Sequence, residues 1–222
     1  MKYYPAFLRI AGRRCLVVGG GDVAGQKVSS LLNAGARVTV ISPQLSAGLD
    51  RDAAAGRIEH LPRTYRQGDI QGYLIVIAAT SDAAVQRQVA AEAATAPGVL
   101  VNVVDRPELC DFIVPALMER GDLVIATSTS GKSPALARRI RQELEAHFGP
   151  EYSQALELLG RLRDHLARRS LSTSERRRIL SSLVDSPLLD HLQHGESGQV
   201  DRLLAETVGD EVSLSQLGVD LH

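Results

Sequence analysis

The sequence predicts an α/β fold: a parallel-sheet domain, then a small α+β segment, then a C-terminal helical domain. Three observations carry this. Short β-rich runs alternate with helix-length amphipathic stretches over residues 14–104, the pattern of βαβ units. The first of these runs ends in three glycines that open a helix. Beyond Glu151 the chain reads as helices with short joints.

Taken in order, Arg14–Val18 is a short strand ending at Gly19-Gly20-Gly21. Residues 23–34 follow with helical spacing (Val23, Lys27, Val28, Leu31, Leu32), and Gly35 stands where a C-cap glycine belongs. Residues 37–41 are the second strand, broken by Ser42-Pro43; 45–55 read as a helix closed by Gly56, and 58–61 as a short strand. Residues 73–79 are continuously apolar, as a strand buried on both faces should be. A helix over 82–95 has Asp82 as N-cap, and 99–104 form another strand. Strands at 112–115 and 123–127 are expected to pair antiparallel around a turn at 119–122. A helix capped by Ser133, with Pro134 in its first turn, runs to about His147 and ends at Gly149-Pro150. Helices are expected at 152–169, 173–185, 187–194 and 198–208, and the tail 209–222 is weakly periodic. The implied domains are 1–111, 112–149 and 150–222.

Composition narrows the function. The 222 residues are 44% hydrophobic and 23% charged, which excludes a wholly disordered chain. A formal net charge of −1, with 4% aromatics and no Trp, argues against a nucleic-acid partner. No apolar run approaches the roughly 20 residues of a membrane span, and the start lacks a signal-peptide core. Cys15 and Cys110 show no metal-binding spacing, so neither a zinc site nor a disulfide scaffold is expected, and a reducing cytoplasm is the default compartment.

Gly19-Gly20-Gly21-Asp22-Val23-Ala24 is G-x-G-x-x-A in a strand–turn–helix context. Gly19 permits the tight turn, Gly21 the approach of a pyrophosphate, and Ala24 the close packing of helix on strand. The helix N-terminus supplies amide donors to phosphate. This is a Rossmann-type dinucleotide reading. The acidic residue usual at the end of the second strand is missing; Ile41-Ser42-Pro43-Gln44 stands there, with Ser42 and Gln44 able to bond a ribose. The residues alone therefore leave NAD and NADP both open. Thr80-Ser81-Asp82 falls at the carboxyl edge of the sheet, where it reads either as a cofactor loop or as a plain helix cap.

Asp105 ends the strand of the Asn102-Val103-Val104-Asp105 run. An aspartate there is an ordinary turn residue or, beside a cofactor crevice, a general base or metal ligand. Asn102, alternating with valines, reads as a satisfied polar core residue. Gly131-Lys132-Ser133 resembles the end of a P-loop, but the glycine required six residues before the lysine is replaced by Ala126, which excludes that motif. A hydroxyl-rich loop opening a helix still suits anions, and Arg138, Arg139 and Arg141 add basic character, unless they are only solvated surface charges.

The stretches CLVVGGGDVAGQK, AGARVTVISP, VIAATSD, NVVDRPELCDFIVPA and STSGKSPALARRIRQELE occur in this order behind MKYYPAFL. Together they resemble the siroheme synthase amino-terminal module, the precorrin-2 dehydrogenase / sirohydrochlorin ferrochelatase family, strongly over about residues 1–165. The resemblance implies oxidation of precorrin-2 to sirohydrochlorin with NAD, followed in many members by ferrous iron insertion. It implies an interlocked homodimer with a dimerisation segment at 112–149. It implies NAD contacts at Gly21, Asp22, Val23, Pro43 and Gln44, beside Gly19 of the glycine turn and Thr80 at the carboxyl edge, so that the missing acidic residue is a family trait. It implies a role for Asp105 in both reactions and substrate contacts at Ser128 or Thr129, with Lys132 and Arg138 suited to the carboxylates of the tetrapyrrole. His147 is a weaker candidate for the iron step, and no resident metal is expected. A chain ending at His222 has no room for the methyltransferase fused to some members, so precorrin-2 is expected from a separate enzyme. The rival readings are an NAD-sensing regulatory module without turnover and a dehydrogenase of another small metabolite.

Overall fold

The computed structural model describes residues 2–209 and 211–220, divided into two compact units between Val114 and Pro115. His222 and part of the weakly periodic tail lie outside the described residues.

The first unit is a five-stranded parallel sheet of order β3-β2-β1-β4-β5. Its elements are β1 (Arg14–Val18), α1 (Asp22–Asn33), β2 (Arg37–Ile41), α2 (Ala47–Ala54), β3 (Ile58–Leu61), β4 (Ile75–Ala78), α3 (Ala83–Ala93) and β5 (Leu100–Val103). The order reverses between β1 and β4, the switch point at which such sheets open a crevice. Side chains alternate across the strands. Cys15 and Val17 join Val38, Val40 and Ile58 under Ala24, Val28 and Leu31 of α1. Leu16 and Val18 join Val76, Val101 and Val103 under Val89 and Ala93 of α3. Both faces of β1 and β4 are thus covered, which is why their sequences are apolar at nearly every position.

Each of the five strands of this sheet is entered through a left-handed glycine. Gly12, Gly35, Gly56, Gly72 and Gly98 have φ of 71°, 74°, 68°, 78° and 76°. Each lies two or three residues before its strand, at the amino edge of the sheet.

The outer edge of β5 is covered by its own continuation. Val101 N–H donates to the Asp111 carboxylate at 2.9 Å, and Asp111 N–H donates to Val101 O at 2.9 Å. Val103 N–H reaches Cys110 Sγ at 3.1 Å. An edge strand is thereby closed to further pairing. A single 3₁₀ turn, Pro107–Leu109, lies within this returning loop.

The second unit begins with the antiparallel hairpin of β6 (Ala116–Arg120) and β7 (Leu123–Thr127), joined by Gly121-Asp122. The hairpin predicted from sequence exists, but its first strand is Ala116–Arg120 and not 112–115. Pro115 has no N–H to give a ladder, and Phe112 O is already held by Asn102 Nδ2 at 2.9 Å. Helices α4 (Pro134–His147), α5 (Glu151–Ala167), α6 (Thr173–Val184), α7 (Leu188–Gln193), α8 (Ser197–Val208) and the short α9 (Leu214–Leu217) follow. Leu158, Leu162 and Leu166 of α5 pack with Leu183, Leu188, Leu192, Val200 and Leu204 in one apolar core. Arg120 donates to the carbonyls of Glu145 (3.0 Å) and Phe148 (2.9 Å), placing a cation on the C-terminal end of α4. Among the described residues, no helix is long and apolar enough to cross a membrane.

Candidate functional site

A cleft of about 950 Å³ opens at the carboxyl edge of the sheet. Four separate turns build it. The turn after β1 gives Gly19, Gly20, Gly21, Asp22 and Val23. The turn after β2 gives Ser42, Gln44, Leu45 and Ser46. Ala79, Thr80 and Ser81 follow β4, and Val104, Asp105 and Arg106 follow β5. Gln86 of α3 completes the lining.

The glycine turn shows why three glycines are used. At Gly19, φ is 126°, and an added Cβ would lie 2.5 Å from Ala79 O; at Gly20 it would overlap the Gln44 carbonyl. These two let β1, β2 and β4 close together. Gly21 has open space where a Cβ would go, so its missing side chain leaves room in the cleft itself. It is also the N-cap of α1 and offers no side-chain cap. The first amides of α1 therefore keep their capacity to bind an anion. This is an observation a bound pyrophosphate would use, and the residues present fit a dinucleotide.

The second-strand turn refines the sequence reading. Ser42 donates its hydroxyl to Gln44 O at 2.7 Å and is nearly sealed. Its own carbonyl accepts from His60 Nε2 at 2.9 Å, which fixes the proton on that nitrogen. Ser42 is thus a structural clasp, which leaves Gln44 exposed as the side chain for a ribose. Ser46, which the sequence reading missed, caps α2 without a side-chain bond and keeps its hydroxyl in the cleft. Pro43 is exposed and does not line the cleft.

Thr80-Ser81-Asp82 serves both readings made from the sequence. Asp82 caps α3, accepting from Ala84 N–H at 2.8 Å and Val85 N–H at 3.2 Å. Thr80 and Ser81 line the cleft. Gln86, also unforeseen, bonds across two turns. Its one sequence signal was a polar residue on the stripe that α3 buries through Val89, Ala90 and Ala93.

Asp105 is exposed at the cleft with φ of 60°. A non-glycine residue there is uncommon and held at some cost. What holds it is the loop behind it. Cys110 Sγ lies 3.3 Å from both the Val103 and Arg106 carbonyls, so its proton serves one or the other, while it accepts from Val103 N–H. Burial pushes the Cys110 thiol above its ordinary pKa, against the lowering effect of that amide. Asn102 is buried and satisfied, as expected, by Phe112 O.

The remaining predicted residues belong to the second unit, on the loop between β7 and α4. Thr129 Oγ1 donates to Ser133 O (3.0 Å) and accepts from Ser133 N–H (3.1 Å), so its hydroxyl is committed to the loop. Ser128 accepts from Ser130 N–H at 3.0 Å, is exposed, and keeps its proton to donate. Ser130 (φ 53°) and Gly131 (φ 82°) give the turn its left-handed path. Arg139 pairs with Glu143, and Arg141 with Glu145, within α4. Lys132 and Arg138 are exposed and make no ion pair among the described residues. His147 ends α4 with its ring edge-on to Phe148 at 5.0 Å. No group of three His, Cys, Asp or Glu that could hold a metal occurs among the described residues.

A second hollow, of about 440 Å³, lies at the amino edge around Arg14, Arg37, Arg57 and Glu59. It has neither the glycine turn nor a helix N-terminus.

Comparison with known proteins bears on this cleft directly. A putative NAD(P)-binding family model matches residues 6–116, a sirohaem biosynthesis central model 120–147, and a sirohaem synthase dimerisation model 151–207. The siroheme synthase of Methylobacillus flagellatus is 44% identical over 179 residues, 81% of this chain and 38% of that protein. The siroheme synthase of Thioalkalivibrio sulfidiphilus is 42% identical over 195 residues, 88% of this chain and 40% of that protein. The chain thus spans about two fifths of the length of these relatives. The solved structure of SirC, a precorrin-2 dehydrogenase, superposes with a TM-score of 0.77 at 29% identity, covering 90% of this chain and 100% of that one.

Proposed function

The chain belongs to the siroheme synthase amino-terminal family, with the putative NAD(P)-binding, central and dimerisation regions in order, and we propose that it oxidises precorrin-2 to sirohydrochlorin with NAD as hydride acceptor. The observation that carries this reading is the single cleft that joins an open helix N-terminus, a glycine turn and the left-handed Asp105.

The reaction removes two hydrogens from the tetrapyrrole, a hydride from a saturated carbon and a proton from an atom conjugated with it, and leaves one new double bond. Bound NAD supplies the hydride acceptor. Gly19 and Gly20 hold the strands close enough to form the cleft floor, and Gly21, Asp22 and Val23 offer backbone amides to the pyrophosphate. Gln44, following Pro43, serves the ribose, and Thr80 the far side of the cofactor. Asp105 takes the proton onto a carboxylate oxygen, and its exposure lets it pass the proton to water. The acidic substrate is neutralised by Ser128, Lys132 and Arg138, with Thr129 keeping their loop rigid. Insertion of ferrous iron into sirohydrochlorin is the second step of this proposal. There the two departing pyrrolic protons need an acceptor, and Asp105 is again the first candidate. Residues 1–111 are assigned to NAD binding, 112–149 to a central α+β segment and 150–222 to a helical domain that contains the dimerisation-region match at 151–207, in a cytoplasmic homodimer.

The test is anaerobic turnover of precorrin-2 with NAD⁺, following NADH and the sirohydrochlorin spectrum. Addition of Fe²⁺ or Co²⁺ to sirohydrochlorin, read against the protein-free rate, tests chelation separately. Tight NAD⁺ binding without NADH formation would overturn the dehydrogenase in favour of a sensor.

A further inference from the structure

We propose that Gln86 is a positioning residue that fixes the Asp105 turn against the Thr80 loop. Gln86 is 9% exposed, in the first turns of α3, at a point where an apolar residue would fit the buried stripe. Its Nε2 faces two carbonyl oxygens, Thr80 O at 2.9 Å and Val104 O at 3.5 Å. Carbonyls only accept, so the amide nitrogen and not the amide oxygen must face them, and the orientation of the side chain is settled by chemistry. Thr80 and Val104 follow adjacent strands, and each belongs to a different turn of the cleft. One side chain therefore sets the separation of the cofactor loop and the turn that bears the base.

The two ends of this tie are not equally firm. The Thr80 side is anchored independently: Asp82 N–H donates to Thr80 Oγ1 at 3.2 Å, Ala79 N–H to Val18 O at 2.8 Å, and Asp82 caps α3. The Asp105 side must hold a left-handed aspartate; Arg106 N–H to Val103 O (3.2 Å), Leu109 N–H to Arg106 O (2.9 Å) and the Cys110 thiol close its turn from the loop behind it, and Val104 N–H to Ala78 O (3.0 Å) and Gln86 tie it to the β4 side. Releasing Gln86 thus loosens the Asp105 turn on its β4 side and leaves the Thr80 loop in place. The effect should fall on the chemical step and spare cofactor affinity. This role rests on the proposed dehydrogenase reading only for its kinetic consequence; the structural tie stands apart from it.

The experiment compares Gln86→Leu and Gln86→Glu with wild type. Glu keeps the shape and volume, but its carboxylate meets two carbonyls and cannot donate. Hydrogen exchange followed by mass spectrometry should show peptides spanning residues 104–106 exchanging about tenfold faster in both variants, the loss of one hydrogen bond. Peptides across Thr80 should be unchanged. With precorrin-2, kcat should fall by about 10- to 100-fold, with NAD⁺ affinity by calorimetry as in wild type. In the Asp105→Ala background, Gln86→Leu should slow the residual rate no further. Unchanged exchange at 104–106, wild-type behaviour of Gln86→Glu, or additive loss with Asp105→Ala would each overturn the proposal. If Gln86→Leu fails to fold, Gln86→Glu decides it. If wild type makes no NADH, the dehydrogenase reading fails, and the exchange measurement still decides whether Gln86 holds the turn.

Discussion

Cys110 closes on the peptide of Val103: Sγ accepts from its N–H at 3.1 Å and lies 3.3 Å from its carbonyl oxygen. A thiol thus stands where a neighbouring strand would otherwise pair with β5, five residues beyond the proposed base. Cys110→Ala should leave the Val103 amide without a partner and cost about 1–3 kcal/mol of stability. Urea denaturation reads this directly. The variant should also lose turnover, because the same loop holds Asp105.

The three glycines should fail in different ways. Gly19→Ala puts a Cβ 2.5 Å from Ala79 O at φ 126° and should fold poorly, with a stability loss of at least about 2 kcal/mol. Gly21→Ala meets nothing within 4 Å and should keep the wild-type Tm. Its methyl group enters the space over the α1 N-terminus, so NAD⁺ affinity should fall by about tenfold or more. Thermal melts paired with calorimetry separate the two; equal Tm losses would contradict the assignment.

Asp105 should show opposed effects on stability and activity. Asp105→Gly relieves a left-handed non-glycine residue and should stabilise the fold by about 0.5–1 kcal/mol. It should also lower precorrin-2 oxidation by about 10²–10⁴-fold, the loss expected for a general base. NAD⁺ binding should persist. A variant both less stable and inactive would show that the turn is needed for folding and would not support a catalytic role.

Stability should fall at both ends of the pH range. At the alkaline end, burial raises the thiols of Cys15 and Cys110 and the Tyr65 phenol, whose hydroxyl also bonds Glu92. These groups contribute stability fully below their unfolded values, about 8.5 for thiols and 10 for tyrosine. That stability is lost as pH rises towards the folded values, because the unfolded chain ionises first. At the acid end, Asp69 is lowered chiefly by its hydrogen bonds from Arg63, at 2.7 and 2.8 Å. Its contribution is present above about pH 4 and disappears as pH falls through the lowered value. Denaturation midpoints across about pH 3 to 10.5 should trace both limbs, and Asp69→Asn should flatten the acid one.

Much of the fold was legible because its signals are local. Continuous apolar runs marked strands covered on both faces, and Asp82 and Ser133 announced their helices as caps. The misplaced strand at 112–115 shows the limit. Its apolar residues suit a strand, but Phe112 is claimed by Asn102, ten residues earlier, and local pattern carries no record of that bond. The site behaved likewise. Glycine spacing and a carboxyl-edge aspartate identified the cleft, because backbone geometry there demands particular residue types. Ser42 was read as a free hydroxyl, yet it is spent on Gln44. Gln86 was missed because its partners are backbone carbonyls, which every residue has.

The five glycines that lead into the strands sit at the edge opposite the cleft. Each turns the chain at a positive φ that glycine adopts without cost, and none lines the cleft. Instructions for assembly and instructions for reaction are therefore written along opposite borders of one sheet. A library of random substitutions should split accordingly. Lesions along the glycine border would appear as low protein yield with normal specific activity in the soluble fraction. Lesions at Thr80, Gln86 or Asp105 would appear as normal yield with little activity.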